Sequence, residues 1–507
     1  MGKMFKKVLV ANRGEIAVRV IKACQELGIS TVTIYSEADA MAPHVKLADE
    51  TKCLGDPTST ESYLNMNKVI DAAREFKAEA IHPGYGFLAE NAKFAERCEK
   101  EGITFIGPGP KVIRAMGDKI QAKTTMEKAN VPVIPGYHGE DQSDATLIKE
   151  GKRIGFPLMV KASAGGGGKG MRIVRKENEL KDAIEGARRE SKSAFSDDTL
   201  FIEKYLEEPR HIEFQILADN KGNTIHLYER ECSIQRRHQK IIEEAPSTAL
   251  TPALRKKMGE AAVKAAKAVG YSNAGTVEFM FSKGDFYFLE MNTRLQVEHP
   301  ITEFTTATDI VKWQLRIAAG QPLTLKQNDI IQRGHSFECR IYAEDPENNF
   351  MPSTGLLEEL KLPQAVNVRH DIGFDSGQEV TPYYDPMLAK LIVFGENRED
   401  AREKMMWALS NYVTMGINTN VSFLKKVMEM KPFIKGDITT HFIDDYLKGW
   451  SLTKGGIPDE VLVAVSIFDF LHKKTIDAGG TVQVVGMDEH TPWKSVGSWR
   501  IGQGGGG

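Results

Sequence analysis

Polar and apolar residues alternate along residues 286–298, and a period of two is the signature of an extended strand. On that reading Glu290, Asn292, Arg294, Gln296 and Glu298 share one face, while Met291, Thr293, Leu295 and Val297 share the other. The apolar run 275–281 just upstream carries Glu278, and Ser282-Lys283-Gly284-Asp285 between the two runs reads as a hairpin turn. Pairing symmetric about Gly284 sets Glu278 directly across from Glu290. Like charges facing one another destabilise a sheet, so the pattern predicts a cation between them. An all-oxygen set with Asn292 beside it suits Mg²⁺ or Mn²⁺ rather than zinc. The alternative, a solvated outer face, is opposed by the buried-type runs on either side.

The rest of the chain divides by its periodicity. Residues 7–11 form a buried-type strand, 15–27 a helix by the spacing of Ile16, Val20, Ile21, Cys24 and Leu27, and 31–35 the next strand. This is a βαβ unit of a parallel sheet with right-handed crossovers. The alternation continues through helix 64–76, strand 78–82, helix 91–101 and strand 104–106, which gives a doubly wound N-terminal domain over 1–115. Its first turn, Asn12-Arg13-Gly14-Glu15, lacks the Gly-x-Gly-x-x-Gly pattern, so no dinucleotide site is expected. The loop Pro83-Gly84-Tyr85-Gly86-Phe87 leaves the carboxyl end of a strand, where open α/β sheets bind ligands. From Met116 strands at 156–162 and 171–174 flank a glycine loop, and helix 177–190 follows. Strands near 200–205, 210–218 and 224–231 suggest a second, largely antiparallel sheet, and helix 252–269 leads into the Glu278/Glu290 hairpin. Residues 335–450 mix short strands with a helix at 398–415. Beyond Trp450 the chain is glycine-rich around one apolar helix, 459–472. The fold class is α/β and α+β, in domains 1–115, 116–334 and 335–450 with a tail at 451–507.

Composition narrows the function. The 507 residues are 41% hydrophobic and 27% charged, an ordinary globular balance. A net charge of -3 argues against nucleic-acid binding by phosphate neutralisation. Five scattered cysteines without Cys-x-x-Cys spacing point to a reducing compartment. No run is long and apolar enough to span a membrane, and a cytoplasmic protein is expected.

Candidate chemistry gathers at a few places. The loop from Lys161 to Met171, with Gly166 and Gly167 among four consecutive glycines and Lys169 beyond, lies between two strands and is not a Walker A loop. Glycine backbone amides approach phosphate closely, and Lys161 adds charge. Lys119 is a second phosphate candidate. Glu203-Lys204-Tyr205-Leu206 ends a strand in a way that suits a hinge bonding an adenine base. The segment from Glu231 to Lys240 crowds Gln235, His238 and Lys240 into an anion-holding wall, within which Cys232 reads as a small buried residue and not a nucleophile. These parts imply ATP, metal ions on Glu278, Glu290 and Asn292, a small anionic second substrate on Arg294 and Lys240, and Glu298 as a base.

From Lys7 to about Leu447 the chain resembles the biotin carboxylase component of biotin-dependent carboxylases, in the ATP-grasp superfamily. The resemblance rests on Ala11-Asn-Arg-Gly-Glu-Ile16, His82-Pro-Gly-Tyr-Gly-Phe87, segments 161–171, 231–240 and 290–299, Glu338-Cys-Arg340 and Pro382-Tyr-Tyr-Asp385. The glycine flap and metal strand alone indicate only ATP-grasp, shared with carbamoyl-phosphate synthetases; Gln296-Val-Glu-His299 and Glu338-Cys-Arg340 single out biotin carboxylase. The resemblance implies a mobile lid at about 135–205. ATP would meet Lys119, Lys161, Gly166, Gly167, Glu203, Lys204, Leu206, His211, Gln235 and His238, with two Mg²⁺ or Mn²⁺ ions on Glu278, Glu290 and Asn292. Bicarbonate would sit on Lys240, Arg294, Gln296 and the backbone of Val297 and lose its proton to Glu298, giving carboxyphosphate. Arg340 would steady the enolate-like biotin oxygen, and Tyr85 would seat the ring. The implied partners are a biotin carrier protein and a carboxyltransferase subunit, in a homodimer or larger complex. The sequence holds no Met-Lys-Met, the nearest approach being Glu429-Met-Lys-Pro432, so biotin is expected on a separate carrier. Thr440 stands where the family often has an aliphatic residue against adenine. Thr491-Pro-Trp through Trp499-Arg500 resembles the linker of fused acyl-CoA carboxylase α chains. An acyl-CoA or acetyl-CoA carboxylase is the first expectation, a pyruvate or 2-oxoglutarate carboxylase the alternative. The rivals are another ATP-grasp ligase and an inactive ATP-binding scaffold.

Overall fold

The N-terminal strands are β1 (Lys7–Val10), β2 (Ser30–Tyr35), β3 (Glu50–Cys53), β4 (Ala80–His82) and β5 (Thr104–Phe105). All pair in parallel in the order β3-β2-β1-β4-β5. Val8, Leu9 and Val10 are fully buried, and helix Gly14–Glu26 turns Ile16, Val20 and Ile21 inward beside them. The strand order reverses about β1, and there Asn12 Nδ2 donates to the carbonyls of Pro83 and Tyr85, both at 2.7 Å. One side chain thus ties together the loops leaving β1 and β4. Strand β3 escaped the sequence reading because Glu-Thr-Lys-Cys at an exposed edge carries no apolar run.

The computed structural model describes residues 2–137, 139–162, 171–195, 198–237, 239–451 and 459–471. By contact the chain forms two units, Met1–Trp450 and Ser451–Gly507. In the second, the described residues are Ser451 and the helix Asp459–Leu471, whose Val461, Leu462, Val463 and Ile467 are exposed.

Two antiparallel sheets follow the parallel one. The smaller is built from β6 (Gly136–Tyr137), β7 (Leu158–Ala162), β8 (Arg172–Val174) and β9 (Leu200–Lys204) in the order β6-β9-β7-β8, under helices Asp144–Ile154 and Leu180–Phe195. Residues 200–205 were expected in the large sheet; they pair within this small one instead, between β6 and β7, with the Lys204 and Tyr205 amides bonded to the carbonyls of Pro135 and Pro157. The larger sheet contains β10 (Arg210–Ala218), β11 (Thr224–Arg236), β12 (Gln239–Ala245), β13 (Asn273–Ser282), β14 (Asp285–Asn292), β15 (His335–Tyr342), β16 (Val368–Ile372) and β17 (Met387–Gly395). Its order is β14-β13-β10-β11-β12-β15-β17-β16. Since β12 pairs with β15, one continuous sheet crosses position 335.

The hairpin predicted at 275–298 forms, with two refinements. Lys283 and Gly284 both lie in the left-handed region, φ 51° and 93°, as a two-residue hairpin turn requires. Pairing begins Ser282 to Asp285 and Phe279 to Phe288; a bulge at Leu289 then shifts the register, and only so does Glu278 come to face Glu290. The strand also stops at Asn292 and does not run on to Glu298. The Thr293 amide bonds to Glu90 Oε1 at 3.1 Å in place of a neighbouring strand, and helix His299–Thr306 opens with Pro300. The expected helix 398–415 is likewise shorter: it ends at Ser410, and the β-branched pair Val413-Thr414 forms a short strand with Glu359–Lys361.

Close approach between the first and last regions depends on Gly373, which follows β16. A Cβ there would lie 2.6 Å from the Glu15 amide nitrogen and 2.7 Å from Gly14 Cα. Gly373→Ala should therefore destabilise the fold by about 1–3 kcal/mol, the usual cost of overpacking, read as a lowered midpoint in denaturant or thermal unfolding.

Candidate active site

A cleft of about 690 Å³ opens between the small sheet and the large one. Its two ends differ in chemistry. Ile134, Met159, Leu206, Met280 and Leu289 make one end apolar, with Thr440 and His441 beside them; Glu278, Glu290, Arg294, Glu298, Lys240 and Arg340 make the other charged.

The charged end is organised by Lys240 on β12. Its ammonium donates to Glu213 Oε2 at 2.6 Å, Glu278 Oε1 at 2.9 Å and Glu298 Oε1 at 2.7 Å. Burial disfavours the charged ammonium, but the three carboxylates outweigh it and hold its pKa well above the ordinary lysine value. Glu278 also accepts from Asn292 Nδ2 at 2.8 Å and Gln296 Nε2 at 2.6 Å, and His211 Nε2 lies 2.9 Å from its second oxygen. Against the penalty of burial, Lys240 and His211 keep this carboxyl well below the usual range. Glu290, its partner across the hairpin, is shifted upward, first by burial and then by the charge of Glu278. A divalent cation would relieve that repulsion, and the donors are all oxygen, so the pair fits Mg²⁺ or Mn²⁺. Gln235 Nε2 meets His211 Nδ1 at 2.9 Å and steadies the ring.

Glu298 stands just ahead of helix His299–Thr306. Besides Lys240 it is reached by Arg340 Nη2, 3.1 Å from its Oε2. Although buried, its carboxyl is held far below the ordinary range by Lys240, Arg340 and Arg230, so it is ionised and can accept a proton. Arg340 Nε donates to Glu243 Oε1 at 2.6 Å. Arg294 is drawn to Glu90 Oε2 at 2.9 Å and to Asn292 Oδ1 at 3.0 Å. The carbonyl of Val297 accepts from Lys390 Nζ at 2.8 Å, and that ammonium lies 5.9 Å from the Tyr85 ring centroid. Cys232 is buried, with its Sγ 3.9 Å from Glu298 Oε1, and burial raises its thiol pKa well above the ordinary value. That agrees with a small buried residue.

At the other side of the cleft Lys161 Nζ donates to Glu203 Oε2 at 2.5 Å, and Lys123 donates to the same carboxylate. Burial and the charges of Lys161 and Lys119 push Lys123 down to about 8. Two lysines therefore share one carboxylate with Lys119 nearby, an excess of positive charge that attracts further anions. Lys204 and Leu206 line the cleft, while Lys119, Glu203 and Tyr85 lie off its wall. Gly166, Gly167 and His238 fall outside the described residues.

Sequence reasoning missed Glu213, Arg230 and Lys123. Arg230 is fully buried and donates to Glu213 (2.6 Å), Gln215 (2.8 Å), Thr302 (3.0 Å), Thr276 (3.1 Å) and Gln296 (2.6 Å). The signal was present for Glu213: period two places it on the face of β10 that carries His211. Lys123 had no such signal, because the helix Lys119–Lys128 looks like a solvated one.

This geometry agrees with what the chain is similar to. It matches the models for the biotin carboxylase N-terminal domain over residues 4–113, the carbamoyl-phosphate synthase L chain ATP binding domain over 118–326, and the biotin carboxylase C-terminal domain over 338–445. It is 50% identical over 501 residues to the α chain of the mitochondrial methylcrotonoyl-CoA carboxylase of Dictyostelium discoideum, covering 98% of this chain and 71% of that one. It is 54% identical over 448 residues to a pyruvate carboxylase subunit of Methanothermobacter thermautotrophicus, covering 88% and 91%. The biotin carboxylase domain of the Hydrogenobacter thermophilus 2-oxoglutarate carboxylase superposes with a TM-score of 0.82 at 50% identity, covering 89% of this chain and all of that one. The chain belongs to the biotin carboxylase family, ATP-dependent ligases of the ATP-grasp type.

Arg230 carries the charge balance beneath this site. Arg230→Met should cost roughly 3–5 kcal/mol, the penalty for leaving a buried partner charge unpaired, and ATP turnover should fall with it. Denaturant unfolding alongside a coupled ADP assay measures both.

Proposed function

We propose that this chain carboxylates biotin with bicarbonate and ATP, supplying the first half-reaction of a biotin-dependent carboxylase. The observation that supports it best is the Lys240 ammonium, which joins Glu278 of the cation-type pair to Glu298 of the base in one cleft. ATP would lie with its base at the apolar end, near Leu206 and Met280, and its phosphates toward Lys161, Lys119 and Lys123. Glu278, Glu290 and Asn292 would hold two Mg²⁺ or Mn²⁺ ions, which neutralise phosphate charge when bound.

Bicarbonate would take the place of internal partners. Arg294 now spends its guanidinium on Glu90 and Asn292, and Lys240 spends its ammonium on carboxylates; an anion among Lys240, Arg294, Gln296 and the Val297 amide would draw on both. Glu298 takes the bicarbonate proton as the oxygen attacks the γ-phosphoryl group, leaving carboxyphosphate and ADP. Carboxyphosphate breaks down to CO₂ and phosphate, the phosphate removes the ureido proton, and Arg340 faces the oxygen on which negative charge gathers. Tyr85 would seat the biotin ring from beside Lys390.

Biotin would come on a carrier module that is not among these residues, and a carboxyltransferase would take the carboxyl group onward. The Hydrogenobacter thermophilus relative is described as a dimer bound to MgADP, ADP and bicarbonate, which supports a homodimer and this ligand set here. Acyl-CoA is the favoured acceptor class. The match to methylcrotonoyl-CoA carboxylase runs through 98% of the chain, tail included, whereas that to the pyruvate carboxylase relative covers 88%. Pyruvate and 2-oxoglutarate remain the alternatives. The five cysteines are all free, which favours a reducing compartment, and among the described residues no helix is long and apolar enough to cross a membrane.

Glu278→Gln and Glu290→Gln should each abolish ATP turnover, with higher Mg²⁺ partly restoring the variant that loses only affinity. Near-normal activity of both at ordinary Mg²⁺ would remove the metal assignment. Arg340→Ala should separate the half-reactions: bicarbonate-dependent ATP cleavage slows, since Arg340 also touches Glu298, while carboxybiotin formation collapses by about 100-fold or more. Equal loss of both would assign Arg340 to the phosphate or bicarbonate site instead.

A further inference from the structure

Beneath Arg340 lies a group of carboxyls that the reaction as described does not use. Glu243 on β12 and Glu338 on β15 occupy directly paired positions of adjacent strands and point to the same face. Both are completely buried. Glu243 gives one oxygen to Arg340; its other oxygen and both oxygens of Glu338 have no hydrogen-bond partner among the described residues. The neighbouring charges are Arg340 on β15, Lys390 on β17, Glu298 ahead of helix His299–Thr306, and Lys240 beyond it. Of these, Lys390 is engaged by the Val297 carbonyl and Glu15, at 2.8 and 3.2 Å. Lys390 and Arg340 act on Glu338 through space, but neither donates a hydrogen bond to it among the described residues. Two buried carboxylates facing each other, with three oxygens unpartnered, are costly when both are ionised; one proton shared between them removes that cost.

We propose that Glu338 is a positioning residue for the biotin half-reaction, keeping its proton and donating its O–H to the free oxygen of Glu243, which then stands as the ionised carboxylate that clamps Arg340. The inference rests on the reading that Arg340 faces the biotin oxygen. Glu338 touches no substrate and acts through Glu243. Burial raises both carboxyls, Glu338 well above the ordinary range and Glu243 to about 7, which agrees with a retained proton. The consequence concerns charge. With the proton in place, Arg340 is balanced by Glu243 and Glu298 and can still attract a developing oxyanion. Loss of that proton adds a second negative charge close to Arg340 and opposes the same oxyanion, so activity falls as pH rises through the ionisation of the pair.

The test compares wild type with E338Q and E338L, using the full chain and free biotin. The readout is the ratio of biotin-stimulated to biotin-independent ATP cleavage from neutral to alkaline pH. Glutamine is a permanent donor of nearly the same shape. E338Q should keep the wild-type ratio at neutral pH and hold it where the wild-type ratio drops, by roughly tenfold per pH unit beyond the ionisation. E338L, which offers no donor, should lose the ratio already at neutral pH. An infrared difference spectrum, wild type minus E338Q at neutral pH, should contain a protonated-carboxyl stretch. The inference is overturned if the E338Q profile superimposes on wild type, if E338Q is as impaired as E338L, or if that stretch is missing. R340A run alongside separates the two levels. Equal loss of both activities in R340A removes the reading of Arg340 and the inference with it. Loss of only the biotin-stimulated part, together with a wild-type profile for E338Q, removes the inference alone.

Discussion

One buried ammonium holds the charged end of this protein together. Lys240 reaches carboxylates from β10, β13 and the turn ahead of helix His299–Thr306, three elements far apart in the chain. Burying one cation costs several kcal/mol and burying three carboxylates costs more, so the arrangement is stable only because each charge faces its opposite at hydrogen-bond distance. Arg230 supplies the second cation from beneath, on Glu213 and Gln296. The side chains that would meet bicarbonate are therefore fixed in place by the same contacts that make the sheet tolerable, and the site is preorganised as a condition of folding.

The parallel-sheet domain is bound into this network and is not merely adjacent to it. Glu90, beyond the loop that leaves β4, holds Arg294 and the Thr293 amide. Glu15, in the first helix, faces Lys390, which grips the carbonyl of Val297. Arg19 of the same helix donates to Glu303 and Asp309, each at 2.8 Å. Every one of these contacts ends on residues 293–309, the stretch that follows the hairpin. Beyond Asn292, where the stretch leaves the sheet, the Thr293 amide and the Val297 carbonyl are taken by side chains of the other regions.

How far the sequence could be read follows from this division of labour. Period two in 286–298 grouped side chains that do line one cleft although the strand stops early, because Gln296 and Glu298 reach it from a turn. The facing of Glu278 and Glu290 was legible too, but through a compensation: a two-residue turn and a bulge at Leu289 together reproduce the register that a symmetric hairpin would have given. Local patterns could not reveal Arg230. Its five acceptors come from four separate segments, and an arginine between Glu229 and Glu231 in its own strand gives no hint of them. Nor did any pattern tell that β12 and β15 would join the second and third regions into one sheet; that pairing sets Ala245 against Ser336, distant in the chain, and depends on tertiary packing alone.

The distribution of charge along the cleft argues for the order in which ligands can be accepted. At one side Lys123 and Lys161 share Glu203, and Lys119 adds a third positive charge near them. At the other, Glu290 faces Glu278, and burial together with that charge outweighs the pull of His211, Lys240 and Lys119. A polyphosphate by itself satisfies the lysines but brings its terminal charge up against Glu290. A divalent cation by itself satisfies the carboxylates but leaves the lysines repelling one another. A nucleotide that carries its cation meets both ends at once, so the cleft is complementary to the complex and to neither component alone. On the proposed reading, bicarbonate, smaller and singly charged, would gain its place where Lys240 and Arg294 are drawn from their internal partners, and cation charge on Glu278 and Glu290 would loosen the hold of Glu278 on Lys240. Binding of the nucleotide complex would thereby prepare the anion site, through carboxylates that the two sites share.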